Sequence, residues 1–257
     1  MLPENHLLKG KKGLIVGIAN EHSIAAGCAT AFRASGAELC ITYQNDKARK
    51  FVDPVATSVG ADMFLPLDVT DHEQTDAVFS RIEQSWGKLD FLLHSIAFCP
   101  REDLHGRVVD CSQEGFGLAM DISVHSLIRL ARRAEPLMHD GVTILTVSYH
   151  GAEKVVDNYN VMGPVKAALE ATTRYLSVEL GPRNIRVNAL SPGPLQTRAA
   201  SGIDHFDTLI NDARARAPMH RLTTIDEVGA MAACLVTDFA RSVTGNTSYI
   251  DGGHHVV

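Results

Sequence analysis

The sequence predicts a doubly wound α/β fold, with helices on both faces of a mostly seven-stranded parallel sheet. Short runs of continuous apolar residues alternate with helical patterns at intervals of roughly 20 to 30 residues. Such strands, joined by helical crossovers, are typical of parallel sheets that are covered on both faces. The chain has no linker, low-complexity tract or internal repeat, so we expect one domain over residues 1–257.

In the first half of the chain, four apolar runs are predicted strands, at 14–18, 37–43, 62–67 and 89–96. A helical pattern follows each of the first three strands. Ser23 precedes the first helix and Gly36 closes it, while Gly87 ends the third. The second and third helices are predicted over 46–59 and 71–86.

In the second half, a long helix is predicted from 112 or 113 to about 138, and the fifth strand over 142–147. The next helix carries Lys166 and runs to Leu180, where Gly181 and Pro182 stop it. Pro164 lacks an N–H, which is harmless only in a first helical turn, so this helix should begin near 163 or 164. The last predicted elements are a strand over 185–190, a helix over 225–237 and a strand over 248–250.

Composition and charge exclude several classes of function. The chain has 24 basic and 30 acidic residues, and its formal net charge of −6 argues against a nucleic-acid or anionic-membrane surface. The sequence contains no apolar run of about eighteen residues, so it predicts no membrane span. The five cysteines form no CxxC pair and the first residues lack a signal-peptide core, so we expect a cytoplasmic protein. We predict no metal site, because His254 and His255 have no further ligand at a useful spacing.

Polar or glycine-rich segments follow six of the predicted strands. They are 17–23, 43–44, 68–69, 95–98, 148–149 and 191–197. Ligands of doubly wound sheets bind beyond the carboxyl ends of the strands, near the point where strand order reverses. We therefore expect a binding site where these segments meet, at one edge of the sheet.

The turn after the first strand, GIANEHSIAAG, keeps part of a dinucleotide-binding pattern without matching GxGxxG. Gly17 leaves the strand, and Ser23 opens a helix whose free N–H groups can bind a pyrophosphate. A plain loop with Ser23 as the helix N-cap explains the same residues. After the second strand, Gln44 is neutral and Lys47 and Arg49 follow, so both NADH and NADPH stay open.

Tyr159 and Lys166 are the candidate chemical groups. They lie seven residues apart, which would bring them to nearly the same face of a continuous helix. A nearby ammonium favours the ionised form of a phenol and strengthens the phenol as a hydrogen-bond donor. Since the helix should begin near 163, Tyr159 would lie in the turn that leads into it. The alternative is a tyrosine in a surface turn and a solvated lysine.

Several motifs are specific enough to indicate a family, among them GIANEHSIAAG, LHSIA, SYHGAE and YNVMGPVKAALE. On these motifs, over about residues 8–253, the chain resembles the short-chain dehydrogenase/reductase superfamily. More narrowly, it resembles the bacterial NADH-dependent enoyl-acyl carrier protein reductases of fatty acid synthesis. Ordinary superfamily members carry Tyr-x3-Lys, whereas here Gly163 occupies that position and the spacing is the Tyr-x6-Lys of the enoyl reductases.

The resemblance implies a Rossmann-like domain and a role for each candidate residue. Tyr159 would donate a hydrogen bond to the thioester carbonyl of a trans-2-enoyl substrate, Lys166 would hold the nicotinamide ribose, and Tyr149 would line the substrate cavity. The cofactor contacts would be Gly17, Ser23, Ile24, Gln44, Asp68, Val69, Ser95, Ile96, Ala97, Lys166, Leu195 and Thr197. The substrate contacts would be Ala97, Phe98, Tyr149, Tyr159, Met162, Ala199, Ile203 and Phe206, under a covering segment near 194–222.

The resemblance also implies partners, namely a substrate on acyl carrier protein and a homotetramer. Asp204 and Asp207 stand where some relatives have basic residues that meet the acidic carrier protein, so a coenzyme A thioester donor stays open. Ala97 stands where many relatives have glycine, which predicts weaker binding of bulky aromatic inhibitors. We interpret the nearby basic residues as a solvated helix face: Arg214, Arg216, His220 and Arg221.

Two other functions stay open on the sequence alone. A 3-oxoacyl or carbonyl reductase would share the fold, but the missing Tyr-x3-Lys argues against it. A nicotinamide-binding protein without catalysis would share the cofactor site. Because Tyr149, Tyr159 and Lys166 are all retained, we favour the enoyl-thioester reductase.

Overall fold

A computed structural model describes residues 6–139, 141–195 and 206–257, without the side chains of 206 and 207. Within these residues, seven strands form one sheet in the order β3-β2-β1-β4-β5-β6-β7, and every neighbouring pair is parallel. The strands are β1 Lys12–Val16, β2 Glu38–Tyr43, β3 Met63–Pro66, β4 Phe91–His94, β5 Val142–Val147, β6 Ile185–Pro192 and β7 Thr247–Ile250. The predicted fold class is confirmed.

Helices connect the strands and begin at residues suited to the role. Asn45 and Asp71 accept hydrogen bonds from the first turns of the second and third helices, and Thr224 forms a capping box with Glu227. The described helices are α1 Ile24–Ala34, α2 Asp46–Ser58, α3 His72–Trp86, α4 Arg101–Leu104, α5 Gln113–Met120, α6 Ser126–Ala134, α7 Met162–Leu180, α8 Phe206–Arg216 and α9 Ile225–Val236. No helix in this part of the chain is long and apolar enough to cross a membrane.

The alternation of side chains along the strands divides the core into two layers. Leu14, Leu92 and Ile144 face one side of the sheet, where α3, α6 and α7 cover them. Their neighbours Ile15 and Leu93 face the other side, beneath α1, α2 and α9. Since both faces are buried, the central strands are mostly apolar along their length, as the sequence indicated.

The predicted long helix over 112–138 is wrong as a continuous element. Regular α-helix covers α5 and α6, but a single turn of π-helix, Asp121–His125, separates them. A turn of 3-10 helix, Glu135–Leu137, then ends the segment. The fourth strand is also shorter than predicted, because the chain leaves the sheet after His94. The short α4 was not predicted.

Candidate active site

The order of strands reverses between β1 and β4, and the loops after these two strands contact each other. Gly17 leaves β1 with φ +107°, and a Cβ atom there would lie 2.0 Å from the Ser95 carbonyl oxygen. The Ser95 N–H donates to Val16 O at 2.8 Å, which holds the two strand exits together. Only glycine can occupy position 17 in this conformation, and this close approach of the two loops lies at the reversal point where dinucleotides bind in such sheets.

Ser23 occupies the N-cap position of α1, as the interpretation of this segment as a plain loop predicted. Its hydroxyl, however, donates to Asn20 O at 2.7 Å and accepts no hydrogen bond from the helix. The residue is buried, and no acidic side chain lies in the first turn of α1. A helix N-terminus with this composition favours an anion.

Gln44 and Asp68 meet across the ends of β2 and β3. The Gln44 amide donates to Asp68 Oδ2 at 3.2 Å, and Thr70 N donates to Asp68 Oδ1 at 2.9 Å. Burial alone would raise the pKa of Asp68. The hydrogen bonds that Thr70 and Gln44 donate to its carboxylate have the larger combined effect, so the pKa of Asp68 is lowered. The carboxylate therefore stays ionised, beside the buried Val69.

Lys166 is buried in α7, with 5% of its surface exposed. Its Nζ donates to Val147 O at 2.7 Å, at the last residue of β5. Burial lowers the pKa of Lys166 to about 8, and the nearby charge of Glu170 opposes that shift. Lys166 therefore remains cationic at neutral pH. The predicted alternative of a solvated lysine is wrong.

Glu170, one helical turn after Lys166, was not singled out in the sequence. It is 4% exposed, and its Oε1 accepts a hydrogen bond from Ser148 Oγ at 2.5 Å. Burial raises the pKa of this carboxyl, against the opposing hydrogen bond from Ser148. Since residues four apart share a helix face, the spacing of Lys166 and Glu170 could have indicated this pair.

Tyr159 lies in the turn before α7, as Pro164 predicted, because α7 begins at Met162. The Tyr159 ring meets the Tyr149 ring edge to face, with centroids 4.8 Å apart. Burial, with the neighbouring Tyr149, raises the pKa of Tyr159 far above the ordinary value of a phenol. The expectation that Lys166 shifts Tyr159 towards its ionised form is wrong here, since burial dominates. Tyr159 is also no surface-turn residue, at 8% exposure.

The structure brings most of the predicted site residues to the carboxyl edge of the sheet. Ser95, Ile96, Ala97 and Phe98 follow β4, while Tyr149 follows β5 and Leu195 follows β6. Ala97 and Phe98 are exposed, whereas Met162 and Leu195 are buried. Thr197, Ala199 and Ile203 lie outside the described residues, as does the side chain of Phe206, whose backbone begins α8.

Arg214 and Arg216 lie in the last turn of α8, so for these two residues the structure agrees with the predicted helix face. Arg216 forms an ion pair with Asp212 at 3.2 Å, on the same helix. His220 and Arg221 lie beyond the helix, so the predicted helix face is wrong for these two residues. Arg221 contacts Glu227 at 2.6 Å. Arg216 and Arg221 therefore have acidic partners within the chain, whereas Arg214 donates to Asn211 Oδ1 at 3.4 Å.

Comparison with known proteins adds a family to this geometry. The profile of a family described as enoyl-(acyl carrier protein) reductase matches residues 17–255. The NADH-dependent enoyl-acyl carrier protein reductase 1 of Rhizobium meliloti (strain 1021) is 48% identical over 257 residues, which cover 100% of this chain and 94% of that protein.

Solved structures show the same fold. The enoyl-acyl carrier protein reductase of Anaplasma phagocytophilum, in complex with NAD, is 47% identical with a TM-score of 0.95, over 100% of this chain and 98% of that one. The Bacillus cereus enoyl-acyl carrier protein reductase, with NADP+ and indole naphthyridinone, is 43% identical with a TM-score of 0.95, over 98% and 99% of the two chains.

Proposed function

Because this chain belongs to the enoyl-(acyl carrier protein) reductase family, we propose that Tyr159 is the hydrogen-bond donor to the thioester carbonyl of its substrate. The chain is an NADH-dependent oxidoreductase of fatty acid biosynthesis, and it reduces enoyl thioesters linked to acyl carrier protein. The observation that carries the proposed role is the burial of Tyr159 against Tyr149, which keeps its phenol protonated.

The chemistry requires such a donor. NADH, when bound, supplies a hydride to the β-carbon of the conjugated alkene, and negative charge then grows on the thioester oxygen as the enolate forms. Tyr159 donates its O–H to that oxygen and thereby stabilises the charge. A preorganised donor of this kind contributes about 2.7–4 kcal/mol in oxyanion holes. A phenol with a raised pKa keeps its proton while it does so. A proton from the solvent then adds to the α-carbon and completes the saturated product.

Lys166 holds the nicotinamide ribose in this proposal. An ammonium carries three N–H donors, and Val147 O accepts one of them at 2.7 Å. The other two would bind the ribose hydroxyls. The charge of Glu170 supports the protonated form that this role requires.

The remaining residues take the roles that their positions favour. Gly17, Ser23 and Ile24 bind the pyrophosphate; Gln44 binds the adenine-side ribose; and Asp68 and Val69 form the adenine pocket. Ser95, Ile96, Ala97, Leu195 and Thr197 hold the nicotinamide half, with Ala97 also beside the substrate. The proposed acyl pocket, beneath a covering segment at 194–222, consists of Phe98, Tyr149, Met162, Ala199, Ile203 and Phe206.

We further propose that the chain acts as a cytoplasmic homotetramer. Helix α7 exposes Tyr175 and Val178 at 74% and 76%, and their spacing of three residues places them on one helix face. Apolar side chains this exposed on one face support a contact with another copy. Sedimentation velocity of the purified protein tests this assembly, which predicts a species of four chains.

Absorbance of the reduced cofactor tests the proposed function. The enzyme should oxidise NADH with a crotonyl thioester, carried by acyl carrier protein, and not with an acetoacetyl thioester or without acceptor. Parallel reactions with coenzyme A thioesters and with NADPH determine the preferred donor and cofactor. Faster oxidation with the acetoacetyl thioester would favour a 3-oxoacyl reductase. Against that alternative, position 163 is occupied by glycine, so the lysine of the Tyr-x3-Lys pattern is missing.

A further inference from the structure

The π-helical turn between α5 and α6, Asp121–His125, and the residue that follows it, Ser126, contact the two ends of the loop after β4. We propose that this turn positions Ser95, Ile96 and Ala97 for the cofactor, with Ser123 and Ser126 as the positioning residues. The inference rests on the proposed function, because it assumes that this loop holds the nicotinamide half of NADH.

Ser123 fixes the far end of the loop through the main chain of Phe98. The Phe98 N–H donates to Ser123 Oγ at 3.0 Å, and the Ser123 hydroxyl donates to Phe98 O at 3.2 Å. Ser123 is fully buried, while Phe98 is 44% exposed. One hydroxyl therefore holds both main-chain polar groups of a residue whose side chain is only partly packed.

Ser126 fixes the near end of the loop through His94, the last residue of β4. The Ser126 hydroxyl donates to Ile122 O at 2.6 Å, so it accepts from His94 Nε2 at 2.8 Å. The other ring nitrogen, Nδ1, then accepts from Thr146 Oγ1 at 2.9 Å. Burial, together with the charge of Lys166, lowers the pKa of His94 to about 3, so the ring is neutral and carries a single proton.

The chain is π-helical just before the second contact. In a regular α-helix, the Ser126 N–H would bond to the carbonyl four residues earlier, at Ile122. Here it bonds to Asp121 O, five residues earlier, and the Ser126 side chain takes the Ile122 carbonyl instead. A π-helical turn is rare and is often found at functional sites.

The same turn is tied to the other half of the proposed cofactor site. Asp121 forms an ion pair with Arg129 at 2.6 Å, and Arg129 Nη2 donates to Val69 O at 3.0 Å. Val69 belongs to the proposed adenine pocket. Ser123 itself is turned into the chain, where it contacts the loop.

The substitution Ser123→Ala tests the proposal, because it removes both contacts to Phe98 and keeps the helix. Ser177→Ala is the matched control, since Ser177 is buried in α7 and its hydroxyl donates to Arg174 O at 2.7 Å, in the last part of that helix. Both variants lose a buried hydroxyl that bonds to the main chain, although Ser123→Ala loses two such hydrogen bonds and Ser177→Ala loses one. Thermal unfolding should therefore show a loss of stability in both variants, and a larger one in Ser123→Ala.

Binding and kinetics should separate the two variants. We expect Ser123→Ala to weaken NADH binding roughly tenfold by fluorescence titration and to lower kcat/KM by roughly tenfold to a hundredfold, because small displacements at a reacting centre are costly. Amide exchange at Phe98 should accelerate in this variant alone. We expect Ser177→Ala to stay within about twofold of the wild type in both measurements.

Unchanged NADH binding and unchanged kcat/KM in folded Ser123→Ala would overturn the proposal. If Ser123→Ala does not fold, Ser126→Ala removes the other contact and is judged by the same measurements. The proposed function is tested separately by the wild type. A wild type that binds NADH but reduces no enoyl thioester would contradict that function, while the NADH titrations of the variants would still decide the positioning role.

Discussion

The rings of Tyr149 and Tyr159 meet edge to face, with centroids 4.8 Å apart and planes inclined by 61°. Both phenols are removed from water by their surroundings. Burial raises the pKa of Tyr149 to about 12, with a smaller contribution from the charge of Asp251, and it raises that of Tyr159 further. The site therefore contains two neutral phenols at physiological pH, and either is chemically a hydrogen-bond donor.

Tyr159→Phe should lower kcat by roughly 10²–10³, because the enolate loses its donor while the ring and its packing remain. Steady-state oxidation of NADH with a crotonyl thioester measures the effect, and circular dichroism verifies the fold. Tyr175→Phe is the control, since it removes a hydroxyl on the outer face of α7 and keeps the apolar ring that the proposed contact between copies uses, so it should retain wild-type turnover. Unchanged turnover in Tyr159→Phe would remove Tyr159 from its proposed role.

Lys166→Ala should chiefly weaken cofactor binding, because the ribose loses the ammonium that Val147 O and the helix hold in place. Fluorescence titration with NADH measures the dissociation constant directly. Lys50→Ala, on the exposed surface of α2, should bind NADH as the wild type does. Equal affinities in the wild type and Lys166→Ala would contradict the ribose assignment.

The charge of Lys166 predicts how NADH affinity depends on pH. Its pKa is lowered from the ordinary 10.5 to about 8, so the ammonium is present below that pH and is lost as pH rises through it. Affinity should therefore fall above about pH 8. Glu170→Gln removes the carboxylate that opposes the shift, so the fall should begin at lower pH.

Titration of NADH over a series of pH values detects this displacement. Glu179→Gln carries the same change at an exposed position on α7 and should leave the profile in place. A profile that does not move in Glu170→Gln would show that Glu170 has no influence on the charge of Lys166.

Gly151→Ala should displace Tyr159 without touching any polar group of the site. The new Cβ would lie 2.5 Å from Tyr159 Cδ1 and 3.2 Å from Tyr149 Cδ1, so the Tyr159 ring must move. We expect kcat to fall by at least about tenfold, as for other small misplacements of catalytic groups. Gly181→Ala is the control, because a Cβ there has nothing within 4 Å. Wild-type kcat in Gly151→Ala would mean that the ring position matters little.

The sequence predicted the sheet and the edge that carries the site, because continuous apolar runs and strand-end residues are local signals. Val142–Val147 was predicted at its observed bounds, and α7 began within one residue of the position that Pro164 indicated. Pair spacing and family motifs likewise indicated Tyr159 and Lys166 before any contact was known.

Other features depend on contacts between distant parts of the chain and left no local signal. The π-helical turn at Asp121–His125 is stabilised by bonds from Ser126 and by Arg129, and the helical pattern runs through it without interruption. The electrostatics of Tyr159 were also mispredicted. Spacing placed an ammonium near the phenol, but burial, which no motif encodes, determines the pKa.

The central claim is that the Tyr159 hydroxyl meets the thioester carbonyl above the nicotinamide. A crystal structure of the protein with NAD+ and a bound enoyl thioester tests it most directly. We predict a distance of about 2.5–3.0 Å between Tyr159 Oη and the carbonyl oxygen, the range of an O–H···O hydrogen bond. A carbonyl oxygen bonded instead to Tyr149, with the Tyr159 hydroxyl turned away from the nicotinamide, would contradict the account.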